Sequence, residues 1–310
     1  MSEPDPDPAT PPITVVVSTR NRSDCVIGAI RSILANDYPN FELLVIDQSD
    51  TDDTEKALQP FLADRRFSYV PSATIGVSSG RNIGIEHAKS EFIAITDDDC
   101  EAPSDWLREM IKALQSDDRI GMVFGNVLAG DHLSHNGFIP TYERKEPYLA
   151  ESVRDKNRVR GIGACMGLRR SICRAVKGFD PMLGPGAPLR CHEEGDLAIR
   201  MLMAGYAVFE TPDIKIIHHG FRTWKQGRDL ALRNYYGIGA ALAKYVKLRR
   251  RFIVPVIAYE WGHEALGQFV RNLVVQRRLS GATPIVAFCR GFWAGLRQPV
   301  DPITGLYRAR

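Results

Sequence analysis

The sequence has few cysteines for its length, and their spacing is not that of a metal site. Six cysteines occur among 310 residues, and no Cys-x-x-Cys motif is present. Scattered cysteines of this kind are typical of a reducing compartment, and they argue against both a disulfide framework and a zinc site. The six positions are Cys25, Cys100, Cys165, Cys173, Cys191 and Cys289.

Long apolar runs and a secretory signal are also lacking. No apolar run reaches about 18 residues, which argues against a membrane-spanning helix. Residues 1–12 are rich in proline and aspartate and have neither a basic nor an apolar signal region. We therefore expect a disordered leader, not a signal peptide, and a cytoplasmic protein.

Two common phosphate-binding loops are missing as well. The first apolar run is not followed by Gly-x-Gly-x-x-Gly, and Gly-x-x-x-x-Gly-Lys-[Ser/Thr] occurs nowhere. This disfavours a dinucleotide-binding Rossmann site and a P-loop. If the chain binds a nucleotide, its phosphates must be held by a metal ion and basic side chains.

Charge is distributed unevenly along the chain. Residues 221–310 carry 16 Lys and Arg against 4 Asp and Glu, whereas residues 1–220 carry 24 against 33. An acidic body with a basic, mainly helical extension predicts an anionic partner, and a membrane surface suits short apolar segments beside arginine clusters. The alternative is a helical cap docked on the catalytic domain. Nucleic acid is an unlikely partner, because no recognised motif supports it.

The first half of the chain alternates between β-rich runs and helical patterns, which predicts an α/β fold with a parallel sheet. The apolar runs cover residues 13–17, 41–46, 67–70 and 92–95. Polar residues follow three of them: Thr19 and Arg22, then Asp47, then residues 97–99. Because parallel strands bring their carboxyl ends to one edge, we expect these residues to line a nucleotide pocket.

Further along, the pattern is less regular. Residues 130–160 are polar and predict a mobile loop. Residues 162–168 read as a glycine-rich strand, and two short strands are expected over 207–210 and 214–217.

The triplet Asp97-Asp98-Asp99 is the strongest candidate for a metal site. Adjacent carboxylates repel one another unless a cation is near, and hard oxygen ligands suit Mg²⁺ or Mn²⁺. For an isolated acidic triplet a solvated turn is the commoner explanation. The surrounding motifs must therefore decide between the two.

Seven motifs together resemble the family 2 glycosyltransferases, which are inverting enzymes of the GT-A fold. The resemblance covers residues 13–219. Its motifs are Val17-Ser18-Thr19-Arg20-Asn21-Arg22, Val45-Ile46-Asp47-Gln48-Ser49, Arg81-Asn82-x-Gly84, Asp97-Asp98-Asp99, Gly178-Phe179-Asp180, Glu193-Glu194-x-Asp196-Leu197 and Ile217-His218. It implies a Rossmann-like mixed sheet flanked by helices over residues 13–220, with residues 221–310 as the extension.

The resemblance also assigns a nucleotide-sugar site. It implies that Thr19, Arg22 and Asp47 contact the nucleoside and that Arg81 lies near the diphosphate. Gln48 stands where many UDP-sugar enzymes have a second acidic residue, so dTDP- and GDP-sugars stay open. The residues implied for the nucleotide sugar are Thr19, Arg22, Asp47, Gln48, Arg81, Asp97 and Asp98.

Metal and catalytic roles follow from the same resemblance. It places Asp98 or Asp99 on Mn²⁺ or Mg²⁺ and gives His218 as a further ligand. It implies Glu194 as the catalytic base, with Asp196 as the alternative. His192, Glu193 and Trp224 would shape the acceptor site. Trp224 and Trp106 could each stack on a sugar ring, but we expect Trp106 in the core.

The implied function is transfer of a sugar, with inversion, from a nucleotide-diphosphate sugar to a glycan or lipid-linked acceptor. The expected location is the cytoplasm, with peripheral association at the inner face of the cell membrane. Two alternatives are a sugar-phosphate nucleotidyltransferase of related fold and a non-catalytic nucleotide-sugar or membrane-surface binding protein. The segment Ser18-Thr19-Arg20-Asn21-Arg22 lacks the glycine-rich loop that a nucleotidyltransferase needs.

Overall fold

The computed structural model describes residues 10–274 and 282–308. Most of the predicted leader, residues 1–9, lies outside the described residues. The same holds for residues 275–281 within the predicted helical extension.

A large mixed sheet forms the centre of the described fold. Its strands are β1 (Ile13–Thr19), β2 (Phe41–Asp47), β3 (Phe67–Pro71), β4 (Phe92–Asp97), β5 (Cys100–Glu101), β6 (Ile120–Ala129), β8 (Tyr148–Ala150), β9 (Met166–Arg169) and β10 (Ala207–His218). The spatial order is β3-β2-β1-β4-β9-β6-β10-β5, with β8 on β10. A separate two-stranded sheet joins β7 (Gly137–Phe138) to β11 (Arg222–Thr223).

The first four strands are parallel, as their alternation with helices predicts. The sheet as a whole is mixed, because β9 runs antiparallel to both β4 and β6. Since β10 is parallel to β6, the strands β1, β2, β4, β6 and β10 all point the same way. Their carboxyl ends therefore meet at one edge, which brings His218 beside the aspartate triplet.

Three local predictions need correction. The glycine-rich strand starts only at Met166, because residues 163 and 164 form a turn. The two short strands over 207–217 are a single strand, β10, with an irregularity between Glu210 and Lys215. The predicted loop over 130–160 contains β7, β8 and a 3₁₀ helix, Val153–Arg158, that begins with a Ser152 capping box.

Helices cover both faces of the sheet. They are α1 (Ser23–Leu34), α2 (Asp53–Leu58), α3 (Val77–His87), α4 (Trp106–Gln115), α5 (Arg170–Ala175) and α6 (Glu193–Met203), with a 3₁₀ turn, Gln59–Ala63, after α2. Strand residues alternate between two apolar layers, so that Val15 and Val17 pack on one face and Val16 on the other. Trp106 is buried in the first layer, as expected.

The extension is helical in its described part and packs on the catalytic body. It consists of α7 (Trp224–Lys247), α8 (Ile253–Ala258), a π-helical segment (Tyr259–Leu266), α9 (Gly267–Val274) and α10 (Ala282–Arg297). Lys244 of α7 is fully buried and forms ion pairs with Asp180 and Asp196 of the body. Among the described helices, none has the length and apolarity that crossing a membrane requires.

Candidate functional site

A cavity of about 450 Å³ lies at the carboxyl edge of the sheet. It brings together most of the side chains that the sequence suggests for a nucleotide-sugar site. These are Thr19, Arg22, Gln48, Arg81, Asp97, Asp98, Asp99, Glu193, Glu194 and His218. The convergence follows from the topology, because β1, β4 and β10 deliver their last residues to the same edge.

The aspartate triplet is not a solvated turn. Asp98 and Asp99 are only 3% and 8% exposed. Asp98 accepts a hydrogen bond from Thr19 Oγ1 at 2.7 Å and pairs with Arg22 Nη1 at 2.7 Å. Asp99 pairs with Arg22 Nη2 at 2.6 Å and with His218 Nε2 at 3.3 Å. The single positive charge of Arg22 is thus shared between the two buried carboxylates, and Asp97 pairs instead with Arg81.

The environment separates the acidities of these two carboxyl groups. Burial raises the pKa of Asp98 to about 6, although Arg22 opposes the shift. Burial acts in the same direction on Asp99, but hydrogen bonds from His218 and Arg22 outweigh it and hold its pKa well below the usual range. Asp99 is therefore the more acidic of the two carboxyl groups.

Asp99 and His218 offer an oxygen and a nitrogen atom close enough together to hold a divalent cation. Nδ1 of His218 lies 2.9 Å from the carbonyl oxygen of Pro140, an arrangement that orients a ligating imidazole and leaves Nε2 toward Asp99. Gly220 keeps this space open, because a Cβ there would lie 2.5 Å from His218 Nε2 and 2.6 Å from Asp99 Oδ2.

A third potential ligand, Cys100, lies within 4.8 Å of these two side chains. Burial raises the pKa of its thiol well above the ordinary value, and Asp97 and Asp99 add to the shift. A protonated thiol is a poor ligand for hard cations, so the donor set favours Mn²⁺ or Mg²⁺ on Asp99 and His218.

Arg81 lies at the cavity, but its charge is already matched. It is 3% exposed, and it pairs with Glu193 Oε1 at 3.0 Å and with Asp97 Oδ1 at 3.1 Å. Gly163 makes room for it, since a Cβ there would come within 2.6 Å of Arg81 Nη2. Arg81 therefore ties the end of β4 to the start of α6.

The first turn of α6 presents two carboxyl groups with different surroundings. Burial and the neighbouring Glu194 raise the pKa of Glu193 to about 8, against the effect of Arg81. Glu194 faces the cavity, and its Oε2 has no hydrogen-bond partner among the described residues. Glu193 Oε2 is also without a hydrogen-bond partner, but Arg81 holds the other oxygen of Glu193, whereas no ion pair among the described residues holds Glu194.

Asp196 does not reach the cavity, so the structure does not support it as the alternative base. Its side chain is fully buried, with Lys244 at 2.7 Å and Arg200 at 2.9 Å. Tyr245 donates a further hydrogen bond to it at 2.8 Å. Burial would raise the pKa of Asp196, but Lys244 and Arg200 lower it below the ordinary value. Its role is to hold α6 to α7.

Three other predicted residues lie near the cavity but do not line it. Asp47 borders a neighbouring cavity, where it accepts a hydrogen bond from Tyr69 at 2.9 Å. His192 lines a small inner cavity of about 90 Å³ behind Glu194, and burial together with Lys156 lowers its pKa to about 3. Trp224 is 54% exposed at the start of α7 and stacks on Phe138.

Several residues at the cavity were not predicted from the sequence. Arg190, Arg222 and Arg233 line it from the loop before α6 and from the extension, as does Asn234. The only signal for Arg222 and Arg233 in the sequence is the excess of positive charge after residue 220, which does not indicate a cavity, and Arg190 lies outside that basic stretch. Arg190 also has a left-handed φ of 78°, which no sequence pattern predicts for an arginine.

Comparison with known proteins identifies relatives for much of the chain. A family model described as glycosyl transferase family 2 matches residues 14–177, more than half of the 310 residues. An uncharacterised glycosyltransferase of Rickettsia conorii is 36% identical over 87 residues, which cover 28% of this chain and 14% of that protein. A GalNAc(5)-diNAcBac-PP-undecaprenol beta-1,3-glucosyltransferase of Campylobacter jejuni is 31% identical over 121 residues, covering 38% of each. The chain thus matches only a minor part of these relatives' lengths.

A solved structure gives the fold over nearly the whole chain. The mannosyltransferase PcManGT from Pyrobaculum calidifontis, in complex with GDP-Man and Mn²⁺, superposes with a TM-score of 0.62 at 17% identity. The superposition covers 93% of this chain and 87% of that one. The predicted GT-A fold is confirmed by this likeness.

Proposed function

The chain belongs to glycosyl transferase family 2, and from that premise we propose that it transfers a sugar from a nucleotide-diphosphate sugar, with inversion, to a glycan or lipid-linked acceptor. One observation carries the proposal. The free carboxylate of Glu194 and the Asp99–His218 pair line the same cavity at the carboxyl edge of the sheet.

The donor half of the site lies between the ends of β1 and β4. Thr19 and Arg22 hold Asp98, and Arg22 also holds Asp99, so this half is rigid before a donor binds. Asp99 and His218 would hold Mn²⁺ or Mg²⁺, and a bound divalent cation stabilises the charge of a leaving diphosphate. Asp97, which is 40% exposed, is free to meet the nucleotide sugar on its open side.

Glu194 supplies the chemistry on the acceptor side. It accepts the proton of the acceptor hydroxyl as that oxygen bonds to the anomeric carbon, while the bond from that carbon to the diphosphate oxygen breaks. A single displacement of this kind inverts the anomeric configuration. We assign the base to Glu194 and not to neighbouring Glu193, because Arg81 already holds Glu193 Oε1 and because burial and Glu194 raise the pKa of Glu193 to about 8.

The donor and acceptor classes are supported by what related proteins are named for. PcManGT was solved with GDP-Man and Mn²⁺, and the Campylobacter relative is named for a diphospho-undecaprenol acceptor. Gln48 does not indicate a base, because its amide donates to Thr74 Oγ1 at 2.9 Å and to the Gly76 carbonyl at 3.2 Å. Membership of family 2 leaves the nucleotidyltransferase alternative without support.

Replacing the base tests the proposal against the non-catalytic alternative. A thermal-shift screen of nucleoside diphosphates and nucleotide-diphosphate sugars with Mn²⁺ first identifies the donor. Glu194→Gln should then lower turnover at least about 100-fold while binding of the nucleoside diphosphate stays at the wild-type value. Glu146→Gln, at an exposed position, is the matched control. Full activity of Glu194→Gln would show that the base is another residue, and a retained anomeric configuration in the product would contradict single displacement.

We also propose that the basic extension binds an anionic membrane surface. Its described helices expose large apolar side chains, namely Val254, Trp261, Val270, Val274, Val286 and Trp293. The extension also exposes the run Arg249-Arg250-Arg251, and exposed tryptophans together with a basic cluster suit an anionic lipid interface. Removing the whole extension would break the buried Lys244 ion pairs, so substitution is the cleaner test.

The double variant Trp261→Ser and Trp293→Ser should reduce flotation with vesicles that contain anionic phosphatidylserine. Leu133→Ser, at a similarly exposed apolar position outside the extension, should leave flotation unchanged. If the double variant floats as well as the wild type, the described helices do not mediate binding.

A further inference from the structure

Some of the arginines that line the cavity are paired with carboxylates, and others are not. The carboxylates of Asp97 and Glu193 are paired with Arg81, and those of Asp98 and Asp99 with Arg22. Arg20, also at the cavity, pairs with Asp50.

Three arginines at the cavity are left without a carboxylate partner among residues 10–274 and 282–308. Arg190 and Arg233 form no ion pair there, and the one hydrogen bond of Arg222 goes to the carbonyl oxygen of Phe221. We call these three residues the arginine rim. No carboxylate of the described residues lies within ion-pair distance of their guanidinium groups, so these groups are available to bind an anion.

The fold brings the three arginines of the rim to one cavity, although they are far apart in sequence. The Arg190 guanidinium lies 4.4 Å from the centroid of the Tyr236 ring on α7. The thiol of the next residue, Cys191, donates to Asn234 Oδ1 at 3.3 Å. Gly237 allows this approach, since a Cβ there would come within 2.6 Å of Cys191. The loop before α6 is thereby held against the turn of α7 that carries Arg233.

The proposed donor site has another source of positive charge for the diphosphate. A nucleotide-diphosphate sugar brings two negative charges, which a divalent cation at Asp99 and His218 offsets. Arg190 lies in the loop before α6 and Arg233 on α7, the elements beside Glu194, whereas Arg222 lies on β11 and also lines a cavity with Asp99. A second anion is therefore expected beside the base, and it belongs to the acceptor.

On the basis of the function proposed above, we propose that Arg190, Arg222 and Arg233 bind a phosphate or diphosphate group of the acceptor. The planar guanidinium forms paired hydrogen bonds with phosphate oxygens, which makes arginine the residue suited to this task. The acceptor is thus a phosphorylated sugar carrier and not a neutral glycan. The phosphate group sits at the rim and the sugar hydroxyl faces Glu194.

Binding of three probes to the full chain tests this assignment. The protein is first saturated with Mn²⁺ and the nucleoside diphosphate that the thermal-shift screen selects. Calorimetry then measures binding of geranyl diphosphate, inorganic pyrophosphate and geraniol. We expect geranyl diphosphate to bind and geraniol not to bind. Equal binding of pyrophosphate would show that the phosphates alone are recognised, whereas weaker pyrophosphate binding would show that the lipid chain contributes.

Single substitutions locate the site. Arg190→Gln, Arg222→Gln and Arg233→Gln should each weaken geranyl diphosphate binding about tenfold or more, as loss of a charge-assisted hydrogen bond does. Their affinity for the nucleoside diphosphate should stay at the wild-type value. Arg228→Gln, an exposed arginine of α7 that does not line the cavity, should affect neither ligand. Arg190 and Arg233 are exposed, so these variants should fold, and their thermal unfolding midpoints check that.

Two results would overturn the assignment. One is a wild-type protein that does not bind geranyl diphosphate, or rim variants that bind it unchanged. The other is an equal loss of nucleoside diphosphate binding, which would place the rim on the donor. Neither result bears on the proposed transfer reaction, which the Glu194→Gln variant tests separately.

Discussion

The buried ion pairs of Lys244 give a sharp prediction about how the extension is joined to the catalytic body. The Lys244 side chain is completely buried, with its Nζ 2.8 Å from Asp180 Oδ2 and 2.7 Å from Asp196 Oδ1. Arg200 completes the cluster at 2.9 Å from Asp196. Two carboxylates and two cations therefore balance in a region with no access to water.

Lys244→Met removes one cation at nearly constant volume and leaves the cluster with a net negative charge. Removing one partner of a buried pair costs about 3–5 kcal/mol, because the other charge stays buried without compensation. Asp180 would keep only its hydrogen bonds from the backbone N–H groups of Met182 and Tyr307. Against a total stability of about 5–15 kcal/mol, the loss would be large.

Urea unfolding followed by tryptophan fluorescence measures this loss as a change in the free energy of unfolding. Lys225→Met, at an exposed position in the first turn of the same helix, should change it by less than about 0.5 kcal/mol. The double variant Lys244→Met and Asp180→Asn restores charge balance and should be more stable than Lys244→Met alone. A loss below about 1 kcal/mol for Lys244→Met, or a double variant no better than the single one, would refute the reasoning.

Two further predictions concern the surroundings of the metal pair and of the base. Gly220→Ala should weaken Mn²⁺-dependent nucleotide binding about 10–100-fold, because the Cβ of the alanine would crowd His218 and Asp99. Titration with Mn²⁺ measures this change. An unchanged affinity would exclude these two side chains as the metal site. Lys156→Met should raise the free energy of unfolding by about 1 kcal/mol at pH 7, because burial lowers the pKa of Lys156 and makes its charged form costly in the folded state. The pKa of Lys156 in the folded protein lies below the ordinary value of 10.5, so the unfolded chain holds this proton more tightly. The free energy of unfolding of the wild type should therefore increase as the pH rises toward 10.5, and the variant should lack that increase. Urea unfolding at pH 7 and pH 10 compares the two slopes, and equal slopes would contradict the assignment.

The central strands, and the meeting of Thr19 with the aspartate triplet at one cavity, could be predicted because short-range patterns determine them. Runs such as residues 13–17 are β-branched and unbroken, and parallel pairing then brings Thr19 and the aspartate triplet to one edge. The structure excludes the solvated turn that is the commoner explanation of an isolated triplet, because distant residues bury and pair Asp98 and Asp99. Arg22 lies 77 residues from Asp99 in sequence, yet it pairs with Asp99 in the structure.

Spacing within α6 already separates its two candidate bases. Successive helix residues are about 100° apart, so Glu194 and Asp196 point about 200° apart and cannot share a cavity. The sequence pattern does not say which of the two faces the cavity. That depends on Lys244, which arrives from a helix 48 residues further along and takes Asp196 into the interior.

The acceptor side could not be predicted, since it depends on contacts between distant segments. Arg190 reaches the cavity only because its loop adopts a left-handed backbone and packs on Tyr236. The contacts of Trp224 could not be predicted from the sequence either. An aromatic residue near a sugar site suggests stacking on a ring, but this one stacks on Phe138 instead.

The most direct test of a metal-dependent donor site with a separate base is calorimetric titration of the selected nucleoside diphosphate with and without Mn²⁺. The wild type should bind tightly only with Mn²⁺, Asp99→Asn should lose that dependence together with most of the affinity, and Glu194→Gln should bind like the wild type. Mn²⁺-dependent binding that survives Asp99→Asn, or that disappears in Glu194→Gln, would contradict the account.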